Sequence, residues 1–281
     1  MIVSVDDAQL FVTTRGQGPN CLVLCSLGTR IYERQLPAAL DDHLTLVFVD
    51  LRGSGRSTGD PAALTFDRVA TDLEAVRSAL GVERVMVLGH SILGMLAFEY
   101  ARRRPASVSR VVTIGTPPSG DMHALIARSA AFFEQDASED RKRLLRENLA
   151  GLTPGATPNQ MVLAQTPMRF FDPRFDADPW FAEADTRPAF LMHVMGTLAP
   201  TWEVLSGSNA PAAPSAAPIA APVLLAQGRY DYVVPHVLWD GVVTQLPNAT
   251  LRIFERSGHQ PFIEEPERFV AVIADWLAES A

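Results

Sequence analysis

The sequence predicts an α/β fold in which a mostly parallel, eight-stranded sheet carries helices on both faces. Three observations lead to this prediction. Short, continuously apolar runs recur along the first part of the chain, as expected of strands buried on both sides. Segments with helical spacing separate these runs. The pattern breaks after Pro118 and returns near residue 220, which indicates that a helical segment is inserted into one core.

The predicted strands are short and are separated by turns or helices. A hairpin over residues 2–5 and 10–14 opens the chain, with its turn at Asp6 and Asp7. Buried strands are predicted at residues 21–25, 44–49, 85–88, 108–114, 223–227 and 251–254. Helices are predicted at residues 66–80, 92–104 and 266–277, where apolar residues recur at helical spacing.

The break in this pattern defines the predicted domains. Residues 1–118 and 220–281 form the predicted core, and residues 119–219 form a predicted helical lid. From Ser119 to about Asn209 there are helix-like segments split by Gly and Pro, without strand alternation. A Pro- and Ala-rich linker over residues 209–222 then leads back to the core. A linker of this composition is semi-rigid and is not expected to be helical.

Composition and charge narrow the classes of function. The chain has 281 residues, of which 20% are charged, and a net charge of −8. A nucleic-acid groove would need clustered Lys and Arg, so no nucleic-acid partner is expected. No run approaches the roughly 18 consecutive apolar residues of a membrane span, and the N-terminus lacks the features of a secretory signal. We therefore expect a cytoplasmic monomer or homodimer that has no membrane partner and acts on a small molecule.

The two cysteines, Cys21 and Cys25, share one predicted strand. There they would point to the same face about 13 Å apart, which is too far for a disulfide. The histidines have no acidic or Cys partners at metal-ligand spacing. The sequence therefore predicts buried, reduced cysteines, no metal site and no cofactor.

A serine lies directly between a predicted strand and a predicted helix in the run VMVLGHSILG, residues 85–94. A sharp turn at this point would hold Ser91 in a strained conformation and present its hydroxyl above the edge of the sheet. Gly89 provides the small neighbour that such a turn needs. The helix N-terminus would favour the negative charge that develops at an attacked carbonyl. Ser91 is therefore the candidate nucleophile, although a turn without chemistry would look the same on its own.

Two further residues complete a candidate catalytic triad. Asp231 follows the strand predicted at residues 223–227, and His259 lies between the last strand and the last helix. All three residues lie at carboxyl ends of predicted strands, where open α/β sheets place their sites. Taken alone, Asp231 and His259 could each be a helix-capping loop residue. Their type, their position and the chain order Ser, Asp, His together favour the triad.

These motifs resemble those of the α/β-hydrolase superfamily. The resemblance covers the predicted core and is closest to the proline-iminopeptidase-like and enol-lactonase-like members. It rests on the segments GHS at residues 89–91, DLRGSGRS at 50–57, GRYD at 228–231 and SGHQPF at 257–262. It implies the α/β-hydrolase fold, with Ser91 as nucleophile, His259 as base and Asp231 as orienting acid.

The resemblance also implies an oxyanion hole, and it has two departures. By position, the backbone N–H groups of Leu27 and Ile92 are the implied donors. In the superfamily, the loop that contains the first of these donors often reads His-Gly-x-Pro-Gly. Here the loop, residues 25–29, reads CSLGT, a run similar to that of enol-lactonase-like members. This difference weakens an assignment as a proline iminopeptidase. In addition, Leu93 occupies the position of the second glycine in G-x-S-x-G, which narrows the space behind the nucleophile.

Large apolar side chains in the predicted lid indicate an apolar substrate. Most are expected to pack in the lid's own core, and a minority to line the pocket. The candidate pocket residues are Phe133, Phe171, Trp180, Met195 and Trp202. The sequence therefore favours a serine hydrolase that cleaves a carboxylic ester or lactone of a small, largely apolar substrate through an acyl-enzyme.

Three alternatives stay open. A proline-iminopeptidase-like aminopeptidase would need lid carboxylates to hold a free amine, and the candidates are Glu134, Glu183, Asp185 and Glu203. The same triad would also serve carbon–carbon bond hydrolysis or lyase chemistry, which the sequence does not separate from ester hydrolysis. The third alternative is a non-catalytic ligand-binding protein on the same fold, against which the complete triad argues.

Overall fold

The apolar runs of the sequence form strands that are buried on both faces. The computed structural model describes residues 1–185, 187–208 and 218–279. Its strands are β1 (Ile2–Val5), β2 (Ala8–Gly16), β3 (Asn20–Cys25), β4 (Thr45–Asp50), β5 (Val85–His90), β6 (Val108–Ile114), β7 (Trp202–Glu203), β8 (Gly207–Ser208), β9 (Val223–Gly228) and β10 (Ala249–Phe254). Each strand predicted from the sequence is present, within a few residues of its predicted bounds.

Over the described ranges, the main sheet has eight strands in the order β1-β2-β4-β3-β5-β6-β9-β10. β2 pairs antiparallel with β1 and β4, and all the other pairs in this sheet are parallel. The prediction of a mostly parallel eight-stranded sheet is confirmed. His90 at the end of β5 pairs with Ile114, and Ile114 pairs with Ala226 of β9. The carboxyl ends of these strands therefore meet at one edge of the sheet.

Helices cover both faces of the sheet, as predicted. One apolar cluster packs Leu73 and Leu96 of the helices after β4 and β5 against one face, and another packs Tyr32 and Ile273 against the other. The core helices are α1 (Thr29–Gln35), α2 (Phe66–Ala79), α3 (Leu93–Arg103), α10 (Pro261–Glu264) and α11 (Pro266–Glu279), numbered in one series with those of the following segment. In the part of the chain that the structure describes, no helix has the length and apolar character needed to cross a bilayer.

Residues 119–208, here called the insertion, lie between β6 and β9. They form α4 (Met122–Asp136), α5 (Glu139–Ala150), α6 (Pro158–Ala164), α7 (Thr166–Arg169), α8 (Asp178–Phe181) and α9 (Pro188–His193). The expectation that this segment lacks strands is wrong, because β7 and β8 pair antiparallel within it. Each has two residues, which is too short to show any alternation in the sequence. Residues 209–217 of the predicted linker lie outside the described residues.

The end of the insertion is fastened to α3 through buried polar contacts. The Nε1 atom of Trp202 donates to Oε1 of Glu99 over 3.1 Å, and its ring stacks on Phe98 with 5.8 Å between centroids. Arg102 donates to the carbonyl of Val204 over 2.7 Å. Glu99 also pairs with Arg102, so the buried carboxylate is compensated.

The two cysteines are buried in β3, as predicted. Cys21 and Cys25 are free thiols in the same apolar cluster. Burial raises the pKa of Cys21 to about 12, so this thiol stays protonated at neutral pH.

Candidate active site

The turn at Ser91 has the strained geometry expected of a nucleophile. Ser91 follows β5 directly and has a φ of 56°, in the left-handed region that non-glycine residues rarely adopt. Two hydrogen bonds fix this conformation. The Ser91 N–H donates to the carbonyl of Ile114 over 2.7 Å, and Oγ1 of Thr116 donates to the Ser91 carbonyl over 2.9 Å. The end of β6 therefore holds the serine at the edge of the sheet.

Two glycines allow the chain to double back around Ser91. A Cβ atom on Gly89 would lie 2.6 Å from the carbonyl oxygen of Leu93, and one on Gly94 would lie 2.0 Å from Oγ1 of Thr116. Both distances are too short for any side chain. Gly94 therefore provides the close approach, one residue later than the usual second glycine. The Leu93 side chain is 1% exposed and borders the same cavity as Ser91.

His259 and Asp231 form a buried hydrogen-bonded pair. Nδ1 of His259 lies 2.6 Å from Oδ2 of Asp231. The other carboxylate oxygen, Oδ1, accepts the N–H groups of Val233 and Val234 over 2.9 and 2.8 Å. Because the carboxylate accepts, the proton lies on Nδ1 and the lone pair on Nε2. This is the tautomer that a general base needs.

The backbone of His259 is held from two sides. Its N–H donates to the carbonyl of Arg169 over 2.6 Å, and its carbonyl accepts from Nε2 of His90 over 3.0 Å. The His90 ring also packs edge-on against Phe262, with 5.2 Å between centroids. Burial, with the nearby His259 as a second cause, lowers the pKa of His90 well below its ordinary value, so His90 is neutral. The neutral His90 ring therefore supports the backbone of His259 without adding a charge beside it.

Glu264 joins the loop of His259 to the insertion. Its Oε1 atom accepts the N–H of Phe171 over 2.6 Å, and Oε2 accepts that of Gly258 over 2.7 Å. Burial raises the pKa of this carboxyl to about 8, although both hydrogen bonds oppose the shift. The nearby carboxylates of Asp231 and Glu265 contribute to this rise. The contact between the loop of His259 and the insertion, here called the seam, therefore contains a carboxyl whose pKa lies near neutrality.

Ser91 and His259 open into one cavity of about 250 Å³. Its walls are mostly apolar and come from both the core and the insertion. Within the described residues, no Asp or Glu lines it, whereas Arg169 does. Among the described residues, there is also no group of three His, Cys, Asp or Glu side chains arranged to hold a metal ion.

Leu27 and Ile92, the predicted oxyanion donors, both border this cavity. Ile92 immediately precedes α3, so its N–H lies at the N-terminus of that helix, the positive end of the helix dipole. The Leu27 carbonyl accepts the N–H of Asp185 over 2.9 Å, which ties the loop to the insertion. Across the part of the chain that is described, neither donor N–H has an acceptor in the protein. Both are therefore free to bind an oxygen of a ligand.

Of the five predicted pocket residues, the structure places Met195 in the cavity and the other four elsewhere. Phe133 packs on Tyr232, with 5.1 Å between ring centroids. Phe171 borders a separate surface cavity of about 520 Å³ with Glu264. Trp180 joins the apolar clusters behind the loop of Leu27. Trp202 packs on α3 through Phe98 and Glu99.

This correction has a physical reason. An aromatic side chain in a helical segment is stabilised equally by burial against the core or by lining a pocket, and the residue type does not distinguish the two. Residues that sequence reasoning missed include Tyr32, Val234 and Arg169. Because Val234 lies only three residues after Asp231, the sequence could have indicated that it lines the cavity. For Arg169 the sequence offers no indication.

The four acidic residues considered for binding an amine lie outside the cavity lining. Glu134 pairs with Lys142 over 3.2 Å. Glu203 accepts from the hydroxyl of Ser119 over 2.5 Å. Glu183 and Asp185 pair with the exposed Arg30 and Arg187, over 3.7 and 3.6 Å. Each carboxylate therefore has a partner away from Ser91.

Comparison with known proteins agrees with this architecture. The chain is 30% identical to the AB hydrolase superfamily protein YclE of Bacillus subtilis (strain 168), over 97% of this chain and 96% of that protein. It is 27% identical to a proline iminopeptidase of Heyndrickxia coagulans, over 93% and 88%. It is 29% identical to a pimeloyl-[acyl-carrier protein] methyl ester esterase of Cronobacter sakazakii (strain ATCC BAA-894), over 91% and 92%.

A solved structure and a family model agree with the relatives. The structure of an alpha/beta fold family hydrolase from Bacillus anthracis str. Sterne is similar in fold, with a TM-score of 0.73 and 20% identity over 98% of each chain. The family model described as alpha/beta hydrolase fold matches residues 24–266. That match begins near the end of β3 and includes β4 to β10, the insertion and the loops of Ser91, Asp231 and His259. With it, the chain belongs to the α/β-hydrolase superfamily.

Proposed function

We propose that this α/β-hydrolase is a serine hydrolase that cleaves a carboxylic ester or lactone of a small, largely apolar substrate. The observation that carries the proposal is the meeting of three elements at one cavity. These are the strained Ser91, the His259–Asp231 pair with its 2.6 Å hydrogen bond, and the N–H groups of Leu27 and Ile92. Together they match the requirements of acyl transfer through a covalent intermediate.

The mechanism follows from these positions. Nε2 of His259 takes the proton of the Ser91 hydroxyl as its oxygen attacks the substrate carbonyl. Asp231 holds the imidazole tautomer and stabilises the imidazolium. The N–H groups of Leu27 and Ile92 bind the oxyanion, each contributing about 2.7–4 kcal/mol to the transition state in comparable sites.

The tetrahedral intermediate then collapses to the acyl-enzyme. The carbon–oxygen bond of the ester breaks, and the leaving oxygen takes the proton from His259. In a lactone this oxygen stays attached to the acyl chain. His259 next takes a proton from water, whose oxygen attacks the acyl carbon. Collapse of the second intermediate returns the proton to Ser91 and releases the acid.

The insertion acts as a lid in this proposal. Its apolar side chains, including Phe181, Leu191 and Met195, border the cavity together with residues of the core. They exclude water and lower the local dielectric constant, which strengthens the oxyanion contacts. The cavity of about 250 Å³ favours a small substrate. The division into a core of residues 1–118 and 220–281 and a lid of residues 119–219 belongs to the same proposal.

The cavity lining favours an ester over an N-terminal prolyl peptide. A free amine would need a carboxylate partner, and the described lining contains none. The relatives named for methyl ester cleavage and for proline iminopeptidase activity differ in this requirement. The absence of an acidic partner from the described lining supports the first of these chemistries for this chain.

Covalent labelling tests the proposal. We expect a fluorophosphonate probe to label the protein at Ser91, as located by mass spectrometry, and short p-nitrophenyl esters to be hydrolysed. Ser91→Ala should abolish both, whereas Ser78→Ala, on the exposed side of α2, should change neither. Proline p-nitroanilide should not be cleaved. A label elsewhere, or unchanged turnover by Ser91→Ala, would contradict the assignment.

A further inference from the structure

Arg169 is a charged side chain in a mostly apolar cavity. It lies at the end of α7 and borders the cavity that contains Ser91 and His259. Its Nη2 atom donates to Oε1 of Gln165 over 3.1 Å. Its Nε atom is fully enclosed and has no hydrogen-bond partner in the described part of the protein. The guanidinium remains protonated at any physiological pH, so the cavity holds a fixed positive charge.

Two other buried arginines show how this protein usually compensates such a charge. Arg52 donates to both carboxylate oxygens of Asp72, over 3.0 and 2.7 Å. Arg141 donates to the carbonyls of Pro167 and Phe170, over 2.7 and 2.8 Å, and to that of Phe171. Arg169 has one neutral amide partner and, within the described ranges, forms no ion pair. The nearest carboxylate that acts on Arg169 is that of Asp231, which is already hydrogen-bonded to His259. An enclosed guanidinium without a direct ion pair favours an anionic ligand that supplies one.

The backbone around Arg169 is held in place before any ligand binds. Arg141 fixes the carbonyls on both sides of it. The Arg169 carbonyl accepts the N–H of His259 over 2.6 Å, and the Met168 carbonyl accepts that of Tyr232 over 2.9 Å. The segment is thus tied to the loops of both the base and the acid. A preorganised cation loses less free energy on binding an anion than a mobile one.

We propose that Arg169 binds a carboxylate carried by the substrate, so that the preferred substrate is an ester or lactone whose acyl chain ends in a carboxylate. The inference rests on the proposed function and names the substrate class of the same site. A planar guanidinium pairs with a carboxylate through two parallel hydrogen bonds. Because Nε is enclosed by the protein, the Nη atoms provide the donors for this geometry. The apolar walls between Arg169 and Ser91 then accommodate the methylene groups.

Paired substrates test the charge directly. The monomethyl esters of succinate, glutarate and adipate are each compared with the neutral methyl ester in which an isopropyl group replaces the carboxylate. We expect the wild-type protein to prefer the anionic member of at least one pair. Arg169→Met should reduce that preference about 10- to 100-fold, mainly through KM. Arg169→Lys should restore part of it. Arg128→Met, which removes an exposed arginine of α4, should leave it unchanged.

A binding measurement separates this inference from the proposed function. Titration calorimetry with free succinate, glutarate and adipate uses Ser91→Ala and the double variant Ser91→Ala/Arg169→Met. Binding that disappears in the double variant supports the anion site, even if no ester is hydrolysed and the proposed function fails. If neutral esters are hydrolysed, Arg169→Met keeps the wild-type charge preference and no dicarboxylate binds, this inference is overturned while the proposed function stands. Labelling of Ser91 by the fluorophosphonate in Arg169→Met confirms that the variant has folded.

Discussion

The core and the insertion build the same cavity in different ways. The core contributes Ser91, Asp231 and His259, each just beyond the end of a strand and each fixed by backbone hydrogen bonds. The insertion contributes walls from short helices, including Met195 and the charged Arg169. The proposed reacting groups thus lie on the part of the molecule with regular strands, while the groups proposed to contact the rest of a substrate lie on the irregular part. We therefore expect substitutions in the core site to change mainly kcat, and substitutions in the insertion wall to change mainly KM.

The largest expected effect comes from the core. Asp231→Asn should lower kcat for ester hydrolysis about 10⁴-fold, because an amide nitrogen facing His259 favours the wrong tautomer. The variant should stay folded, since its side-chain oxygen still accepts the N–H groups of Val233 and Val234. Steady-state kinetics and circular dichroism test both statements. Asp240→Asn, at an exposed position, is the control. A kcat within tenfold of wild type would contradict the role of Asp231.

The next effect separates packing from substrate contact within the insertion. Trp202→Ala should lower the free energy of unfolding by about 3–5 kcal/mol, because the indole is buried against Phe98 and donates to Glu99. KM should change less than about twofold, because Trp202 does not line the cavity. A twofold change corresponds to under about 0.5 kcal/mol of binding. Denaturant unfolding and ester kinetics measure the two quantities. Trp202→Phe keeps the stacking and should cost less; a large rise in KM with unchanged stability would return Trp202 to the pocket.

The seam between the two regions should respond to pH through Glu264. Its pKa is raised from 4.5 to about 8 in the folded protein, so the protonated carboxyl favours folding. This contribution is fully present below pH 4.5 and is lost as the pH rises towards about 8. Over this window the loss of this contribution lowers the free energy of unfolding by at most about 1.4 kcal/mol per pH unit.

Unfolding by denaturant at several pH values checks this prediction. Glu264→Gln should remove that part of the pH dependence, and the exposed Glu267→Gln should not. Comparison of the two variants separates Glu264 from other buried carboxyls such as Asp50, whose pKa burial raises to about 6. Identical pH profiles for wild type and Glu264→Gln would rule out the shifted pKa.

The smallest effect comes from the wall of the cavity. Met195 is 40% exposed, so Met195→Ala should remove a modest apolar contact with the substrate. We expect KM for neutral apolar esters to rise roughly three- to tenfold with kcat nearly unchanged. Met192→Ala, at a position that is 74% exposed, is the matched control. Equal effects of the two substitutions would remove Met195 from the pocket.

The sequence predicts the core well because strands, turns and helices of the core depend on residues that are close together in the chain. Buried strands, turn residues and their order are visible as periodicity and residue type, and these features alone predict that Ser91, Asp231 and His259 share one edge of the sheet. The insertion follows no such period. Whether an aromatic residue such as Phe133 faces a cavity or packs on the core depends on how several short helices meet. The two-residue strands at Trp202 are too short to produce a periodic pattern in the sequence. Arg169 differs from other arginines only in its three-dimensional surroundings, where its Nε has no hydrogen-bond partner among the described residues.

The hydrogen bond from the His259 N–H to the carbonyl of Arg169 has a consequence for protein engineering. The insertion cannot be exchanged as an independent module, because a stretch of its backbone helps to hold His259, the proposed general base. A chimera with the insertion of a relative would have to retain the strip from Thr166 to Phe171 and its anchor Arg141, or reproduce its carbonyl positions. Grafts that preserve this strip while varying α8 and α9 offer a route to new substrate range without rebuilding the triad.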